Sequence, residues 1–245
     1  MAGDVTVAVE SDDAAPLVEA VERAATGAAV RPTGGTADAD LVVADGRAGL
    51  VESVRTTTDA LVLPVDAGAG VRSVPRDAVG RAVADVAAGA ADRVERPVLS
   101  VRVDDADPVP ALFDVTLVTA EPARISEYAV HGGGRRIDGV RADGVVVATP
   151  AGSRGYAAAA GGPTVDPACA AVSVTPIAPF VTDAEGWVLP DASLALSVER
   201  DEGDVSLLVD GRDEGNLSVD ATTRVSRAGV VEVAVVEASA DFYSA

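Results

Sequence analysis

VVVATPAGSRGYAAAAGGPTVDP, residues 145–167, sets an apolar strand against a run of small residues and closes it with Gly-Gly-Pro. Residues 145–149 read as a buried strand. Pro150 cannot continue a central ladder, and Gly152 permits close approach of backbone. Ser153 suits the N-cap of a short helix, RGYAAAA, that Gly161 ends. A strand feeding such a loop and helix presents backbone N–H groups, and anions and nucleotides bind at such places. A tight turn whose small residues serve packing alone gives the same pattern.

Two familiar phosphate cradles are excluded. The chain contains no Lys, so a Walker A loop cannot be built, and no GxGxxG follows the first strand. The same bias bounds the partners: all basic residues are Arg, and the net charge is -20. Nucleic acid, whose phosphates need clustered positive charge, is therefore not an expected partner. Hydrophobic residues make up 48% of the chain, so the acid excess decorates an Ala/Val-rich core and does not signal disorder. Such charge density resembles proteins of a high-salt cytoplasm, where screening shortens self-repulsion; an acidic protein from a GC-rich genome is the alternative.

The lone cysteine, Cys169, excludes an intrachain disulfide and a Cys-cluster metal site, and no metal ligands are assigned. His131, in VHGGGRR, reads as part of a hairpin turn. No apolar run approaches membrane-spanning length and no signal peptide opens the sequence, so a cytoplasmic protein without membrane contact is expected.

Outward from the opening stretch, the period of the apolar pattern divides the chain. Residues 5–10 (VTVAVE), 39–46 (ADLVVADG) and 60–66 (ALVLPVD) read as strands. Residues 15–25 (APLVEAVERAA) and 73–89 (SVPRDAVGRAVADVAAG) read as helices between or after them, the arrangement of a parallel sheet with helical cover. From about residue 97 the period is two, through VLSVRV, LFDVTLV, ISEYAV, GVVVAT, AVSVTPI, SLALSVE, VSLLVD, TRVSR and VVEVAVV. The expected architecture is an α/β Rossmann-like domain over 1–95, a β-sandwich domain over 96–225 and a C-terminal segment, 226–245. GAADRVERP, 89–97, reads as a connector.

RADGVVVATPAGSRGYAAAAGGPTVDP followed by AVSVTPIAP resembles the signature of NAD kinases: an Asp-Gly strand, then T-P-T-G-S-T-A-Y-S-L-S-A-G-G-P, then a TPI-P strand. Asp143, Gly144, Thr149, Pro150, Gly152, Ser153, Tyr156, Ala160, Gly161, Gly162 and Pro163 fall in register. ALFDVTLV is similar to the family's A-L-N-[ED] strand, WVLPD to its LVLPD strand and LLVDGR to its S-V-D-G-Q strand. LVVADGRAGL stands where the family has G-G-D-G-T, and LVLPVDAGAG where it has P-[IV]-x-G-[IV]-N-x-G.

The resemblance implies an NAD kinase-like two-domain fold: an α/β N-terminal domain, a β-sandwich C-terminal domain that binds NAD, and a chain end returning to the first domain. It also implies phosphoryl transfer from ATP or another polyphosphate to the adenosine 2'-hydroxyl of NAD with Mg2+, in a homo-oligomer. It assigns Asp45 as the base; on the residues alone, Asp45-Gly46 also reads as a strand-end turn. Gly46, Arg47, Asp114, Asp143, Thr149, Gly152, Ser153, Arg154, Tyr156 and Asp210 are the implied nucleotide-binding positions.

Departures cluster in the same motifs. Val43 and Ala44 replace two glycines, and Arg47 replaces Thr. Arg47 offers a planar fork to a phosphate, or is a solvated loop residue. Phe113 replaces an Asn, Ala151 and Arg154 replace two Thr, Gly155 replaces an Ala, and Arg212 replaces a Gln. Arg154, like Arg47, is expected at a phosphate. The expected activity is NAD kinase; a nucleotide-binding paralogue without catalysis is the alternative, and a kinase for another hydroxyl is a third reading.

Overall fold

The computed structural model describes residues 5–25, 30–32, 36, 38–56, 59–121, 125–181, 184–200 and 203–244. The chain divides into two compact units, Met1–Arg96 with Val230–Ala245, and Pro97–Gly229.

The first unit is built on parallel strands. β1 (Val5–Glu10), β2 (Val30–Pro32), β3 (Leu41–Asp45) and β4 (Leu61–Val65) lie in the order β2-β1-β3-β4. β3 and β4 are almost continuously apolar, as strands covered on both faces must be. Helix α1 (Ala15–Ala25) and helix α3 (Val79–Ala87) share one core with the sheet: Leu17, Val21, Val79 and Val83 meet Val7, Leu41, Val43 and Leu63. Between β3 and β4 runs α2 (Gly46–Arg55), which starts directly from the β3 terminus. Its Gly49 lets the helix approach β1; a methyl group there would lie 2.5 Å from the Glu10 carbonyl oxygen. The segment 73–89, read as one helix, begins with a 3₁₀ turn at Arg76–Ala78.

The second unit is a sandwich. One sheet contains β7 (Asp114–Thr119), β10 (Gly144–Ala148), β11 (Ala171–Ile177), β12 (Trp187–Pro190), β14 (Val205–Val209) and β15 (Arg212–Leu217), in the order β12-β11-β10-β7-β14-β15. The other contains β8 (Ser126–Gly132), β9 (Arg135–Ala142) and β13 (Leu194–Arg200), with β5 (Asp92–Val103), β6 (Val109–Ala111) and the long β16 (Thr222–Val235). Alternate residues point inward, so Val115, Leu117, Val145, Val147, Tyr128, Leu196 and Val198 form one core. His131 belongs to β8, and the β8–β9 hairpin turns on Gly133 and Gly134.

Strand β16 serves both units. Thr222–Val225 pair with β13, and Val233 pairs with Val62 of β4. The stretch 89–97, read as a connector, contains the first residues of β5. TRVSR and VVEVAVV are one strand, not two. Among the described residues no helix is long and apolar enough to cross a membrane.

Candidate functional site

In the first unit the polar residues gather at the carboxyl edge of the parallel sheet, where open α/β sheets bind their ligands. Ser11 follows β1, Asp45 ends β3 and Asp66 follows β4. Ser11 Oγ donates to Asp45 Oδ2 at 2.6 Å. From the 3₁₀ turn, Arg76 Nη2 donates to both Asp45 oxygens, at 2.6 and 2.8 Å, and its Nε lies 3.8 Å from Asp66 Oδ2. Asp45 is 11% exposed at its side chain and Arg76 42%, so the carboxylate is fixed from below and its cation stands at the surface.

Gly46 adopts φ +63, the left-handed turn by which the chain leaves β3 for α2, and glycine makes that turn without strain. Arg47 lies on the exposed first turn of α2. The bulk of Val43 and Ala44, where the family pattern has glycines, is buried in the sheet.

In the second unit the opening stretch forms a locked loop. Thr149 is fully buried: its N–H donates to the Phe113 carbonyl at 2.9 Å and its Oγ1 to the Leu112 carbonyl at 2.6 Å. The same Oγ1 accepts from Gly152 N–H at 3.2 Å. Any Cβ on Gly152 would overlap the Phe113 carbonyl oxygen. Ser153 is not an N-cap. Its Oγ donates to the Pro150 carbonyl at 2.7 Å and accepts from Val165 N–H at 3.0 Å, and the helix after it, α4 (Tyr156–Ala159), has four residues. Tyr156 is the exposed large side chain of this stretch, and Arg154 is half-buried.

Gly162 closes the loop. Its N–H donates to the Ala157 carbonyl at 2.8 Å, and a methyl group there would lie 2.5 Å from Thr175 Oγ1. Asp210 makes the β14–β15 turn with Gly211, at φ +53 and +82. Its carboxylate accepts from Leu112 N–H (2.8 Å), Phe113 N–H (2.6 Å) and Asp114 N–H (3.0 Å). Asp210 thus fixes the strand that carries Phe113 and Asp114, both buried.

Asp143 sits at a junction of three elements. Its carbonyl accepts from Thr119 N–H (2.8 Å) and from the Tyr128 hydroxyl (3.3 Å), and its N–H donates to the Ile177 carbonyl (3.0 Å). Burial pushes the Tyr128 hydroxyl above its ordinary pKa of 10.0, against the lowering by hydrogen bonds to Thr119 and Ser126, so it stays a neutral donor. Gly144, next in sequence, has no room for a side chain beside the Leu117 carbonyl.

Within the second unit, therefore, residues 112–114, 149–153 and 210 are brought together by hydrogen bonds to backbone, whereas Asp143 and Gly144 lie at the other end of β10, where Gly144 faces Val118 and Ala148 faces Asp114. Within the first, Asp45 and Gly46 share the sheet edge with Ser11, Asp66 and Arg76, which the sequence reading did not assign. Ser11 and Asp66 had a signal, since each follows a predicted strand at the same edge as Asp45. Arg76 had none: it reaches Asp45 across 31 residues of sequence.

Residues 112–237 match the ATP-NAD kinase C-terminal domain. The NAD kinase of Thermococcus sibiricus is 31% identical over 194 residues, 78% of this chain and 70% of that protein. The NAD kinase of Methanosarcina barkeri is 33% identical over 118 residues, 48% of this chain and 43% of that protein, so the match spans less than half of that relative's length. In three dimensions the chain is similar to yeast NADH kinase complexed with NADH, at a TM-score of 0.79 and 20% identity over 94% of this chain and 83% of that one. It is also similar to the NAD kinase of Archaeoglobus fulgidus in complex with ATP, at a TM-score of 0.73 and 20% identity over 95% and 93%. The two solved structures share the fold, an α/β unit and a sandwich unit. The domain match and the Thermococcus relative carry the kinship further: this chain belongs to the NAD kinase family.

Proposed function

We propose that the protein transfers the terminal phosphoryl group of ATP, or of another polyphosphate, to the adenosine 2'-hydroxyl of NAD, giving NADP. The observation that carries this reading is the place of Asp45, a partly buried carboxylate at the carboxyl edge of the sheet in a chain of this family. An Asp45 oxygen takes the 2'-hydroxyl proton as the 2'-oxygen attacks the terminal phosphorus. The bond from that phosphorus to its bridging oxygen breaks, and the nucleoside diphosphate leaves with the bond's electrons. Arg76 and Arg47 are the cations of this unit nearest in sequence or contact to Asp45, and developing phosphoryl charge calls for such groups.

Nucleotide contacts are assigned to the second unit, at Asp114, Arg154 and Tyr156; Asp143, at the other end of β10, joins strands and is not counted among them. Thr149, Gly152, Ser153 and Asp210 serve that surface by shaping it, because their polar atoms meet backbone groups. Among the described residues no group of three or more His, Cys, Asp or Glu could hold a metal ion. Mg2+ binds chiefly through substrate phosphates with one or two carboxylates, and exposed Asp66 is placed to supply one. When bound, the ion would offset phosphate charge. The acid excess supports work in a high-salt cytoplasm, and the family resemblance supports a homo-oligomer.

One observation favours the paralogue without catalysis: the Asp45 oxygens already accept three hydrogen bonds, from Ser11 and Arg76. The deciding experiment is NADP formation by the purified protein in high salt with Mg2+, ATP and NAD, beside Asp45→Asn. The kinase reading expects turnover that falls by about 100-fold or more in the variant. No turnover, with NAD still raising the melting temperature, establishes the binding paralogue.

A further inference from the structure

Resting on the assignment of Asp45 as base, we infer that Arg76 is an anion-exchanged latch. It holds the Asp45 carboxylate and passes to an incoming polyphosphate, which frees Asp45 to accept a proton.

The first support is geometric. One guanidinium nitrogen, Nη2, lies within 2.8 Å of both Asp45 oxygens, while Ser11 takes the other side of Oδ2. A carboxylate so engaged has few lone pairs left for a substrate hydroxyl. The base must therefore shed a partner before it can act. Ser11 sits on the loop after β1; Arg76 is the partner with freedom to leave, being 42% exposed on a one-turn segment.

The second support is where Arg76 can go. It lines a groove of about 720 Å3 between α1 and α3, floored by Pro16, Ala20 and Gly80 and walled also by Arg23 and Arg81. Arginines are scarce in this chain, 19 against 39 acidic residues, yet three of them border this one groove beside a single acid, Asp77. Arg81 is shared with Glu237 and Asp85, and Arg23 donates to the Glu19 carbonyl, so the groove is screened and not strongly cationic. A dianionic or trianionic phosphate chain is matched to such a place, because its charge exceeds that of any single carboxylate it displaces.

The third support is exclusivity. Both Asp45 oxygens use Nη2, so a phosphate that takes that nitrogen must displace the carboxylate, and the two partners compete for it. By linkage, whatever weakens the Asp45–Arg76 pair strengthens phosphate binding, by at most the same factor. A surface ion pair with no further role has no such consequence.

The test is calorimetric titration of the whole chain with inorganic tripolyphosphate at fixed ionic strength, without nucleotide acceptor. Asp45→Asn should bind tripolyphosphate at least about fivefold more tightly than the unsubstituted protein, and Arg76→Gln at least about fivefold more weakly. Asp66→Asn removes an equal charge beside Arg76 but no strong hydrogen bond, and should change affinity by less than about twofold. The double variant Asp45→Asn with Arg76→Gln should lose the whole gain. Equal gains in Asp45→Asn and Asp66→Asn would mean general charge repulsion and overturn the latch, as would no binding to either the unsubstituted protein or Asp45→Asn.

A parallel titration with NAD separates the sources of phosphate. A gain for tripolyphosphate alone assigns the latch to the donor, and a gain for NAD as well extends it to the dinucleotide's diphosphate. Because no turnover is read, the latch can fail while NADP is still formed, or hold in a protein that forms none.

Discussion

At Thr149, Ser153 and Asp210 the polar side chains meet backbone groups; at Asp45 they meet two other side chains, Ser11 and Arg76. The two arrangements respond differently to change. Backbone partners are supplied whatever residue stands there, so Phe113 and Ala151 can depart from the family pattern while the loop keeps its shape. A carboxylate held by side chains depends on those residues, and the pair can open without unfolding anything. Substitutions in the second unit's loop should therefore register as stability, and those around Asp45 as binding and turnover.

The strongest attempt to break this contrast is Gly152→Ala. The new methyl group has no place beside the Phe113 carbonyl, and we expect a loss of about 4 kcal/mol or more, read by chemical denaturation or as failure to fold. A variant within 1 kcal/mol of the parent, by the same ~1 kcal/mol scale of ordinary substitutions, would show that the loop is not locked. Asp210→Ala comes next. It strips three backbone N–H groups of their acceptor and should cost about 3 kcal/mol, while Asp210→Asn, which tolerates the left-handed turn, should recover part of it.

Gly49→Ala probes close packing in the first unit, away from its ion pair. The methyl group would press on the Glu10 carbonyl, and a loss of about 2 kcal/mol should appear with a shifted Asp45 and slower turnover. Thr149→Val keeps the shape and deletes one hydroxyl that serves both Leu112 and Gly152. We expect about 1.5 kcal/mol, with the NAD melting-temperature shift retained. A lost shift with unchanged stability would make Thr149 a ligand contact and erase the contrast.

The smallest effect belongs to Asp40, whose carboxyl is held below its ordinary pKa of 3.8 chiefly by the Thr6 hydroxyl, and also by the Thr6 N–H. That contribution is present above the unfolded value and fades as pH falls through the lower folded one. Exposure to solvent keeps it near 0.5 kcal/mol. Asp40→Asn should be that much less stable at neutral pH, and the gap should close in acid; a gap that widens in acid would reverse the assignment.

Much of this was legible in the sequence. Helix α1 occupies 15–25 as its apolar spacing predicts, and β1, β3 and β4 fall within the predicted stretches, β3 and β4 because buried parallel strands are apolar throughout; the three-residue β2 lies outside them. What escaped was polar or short. β9 reads RRIDGVRA and β15 reads RDEGNL, edge strands most of whose side chains face water, so only a few apolar residues such as Val140 and Leu217 mark the buried side. α2 was hidden by two glycines in a motif read as a loop. Ser153 was misread because an N-cap and a loop brace use the same hydroxyl, and only the fold reveals that Val165 lies beside it. The Asp45–Arg76 pair is a tertiary contact, invisible to any local pattern.

Strand β16 has a consequence for the order in which the protein is made. Ala234 and Val236 belong to the core of the first unit, and Val233 pairs with β4. Residues 1–96 thus leave the ribosome with β4 paired to β3 on one side only, and wait for some 130 residues of sandwich to be synthesised before the neighbour on its other side exists. Sequential domain-wise folding from the amino terminus is the usual course for nascent chains. Here the sandwich is the earlier of the two to have all its residues in hand, and the half-built sheet that carries Asp45 is the part of the newborn chain most in need of shelter from stray edge pairing.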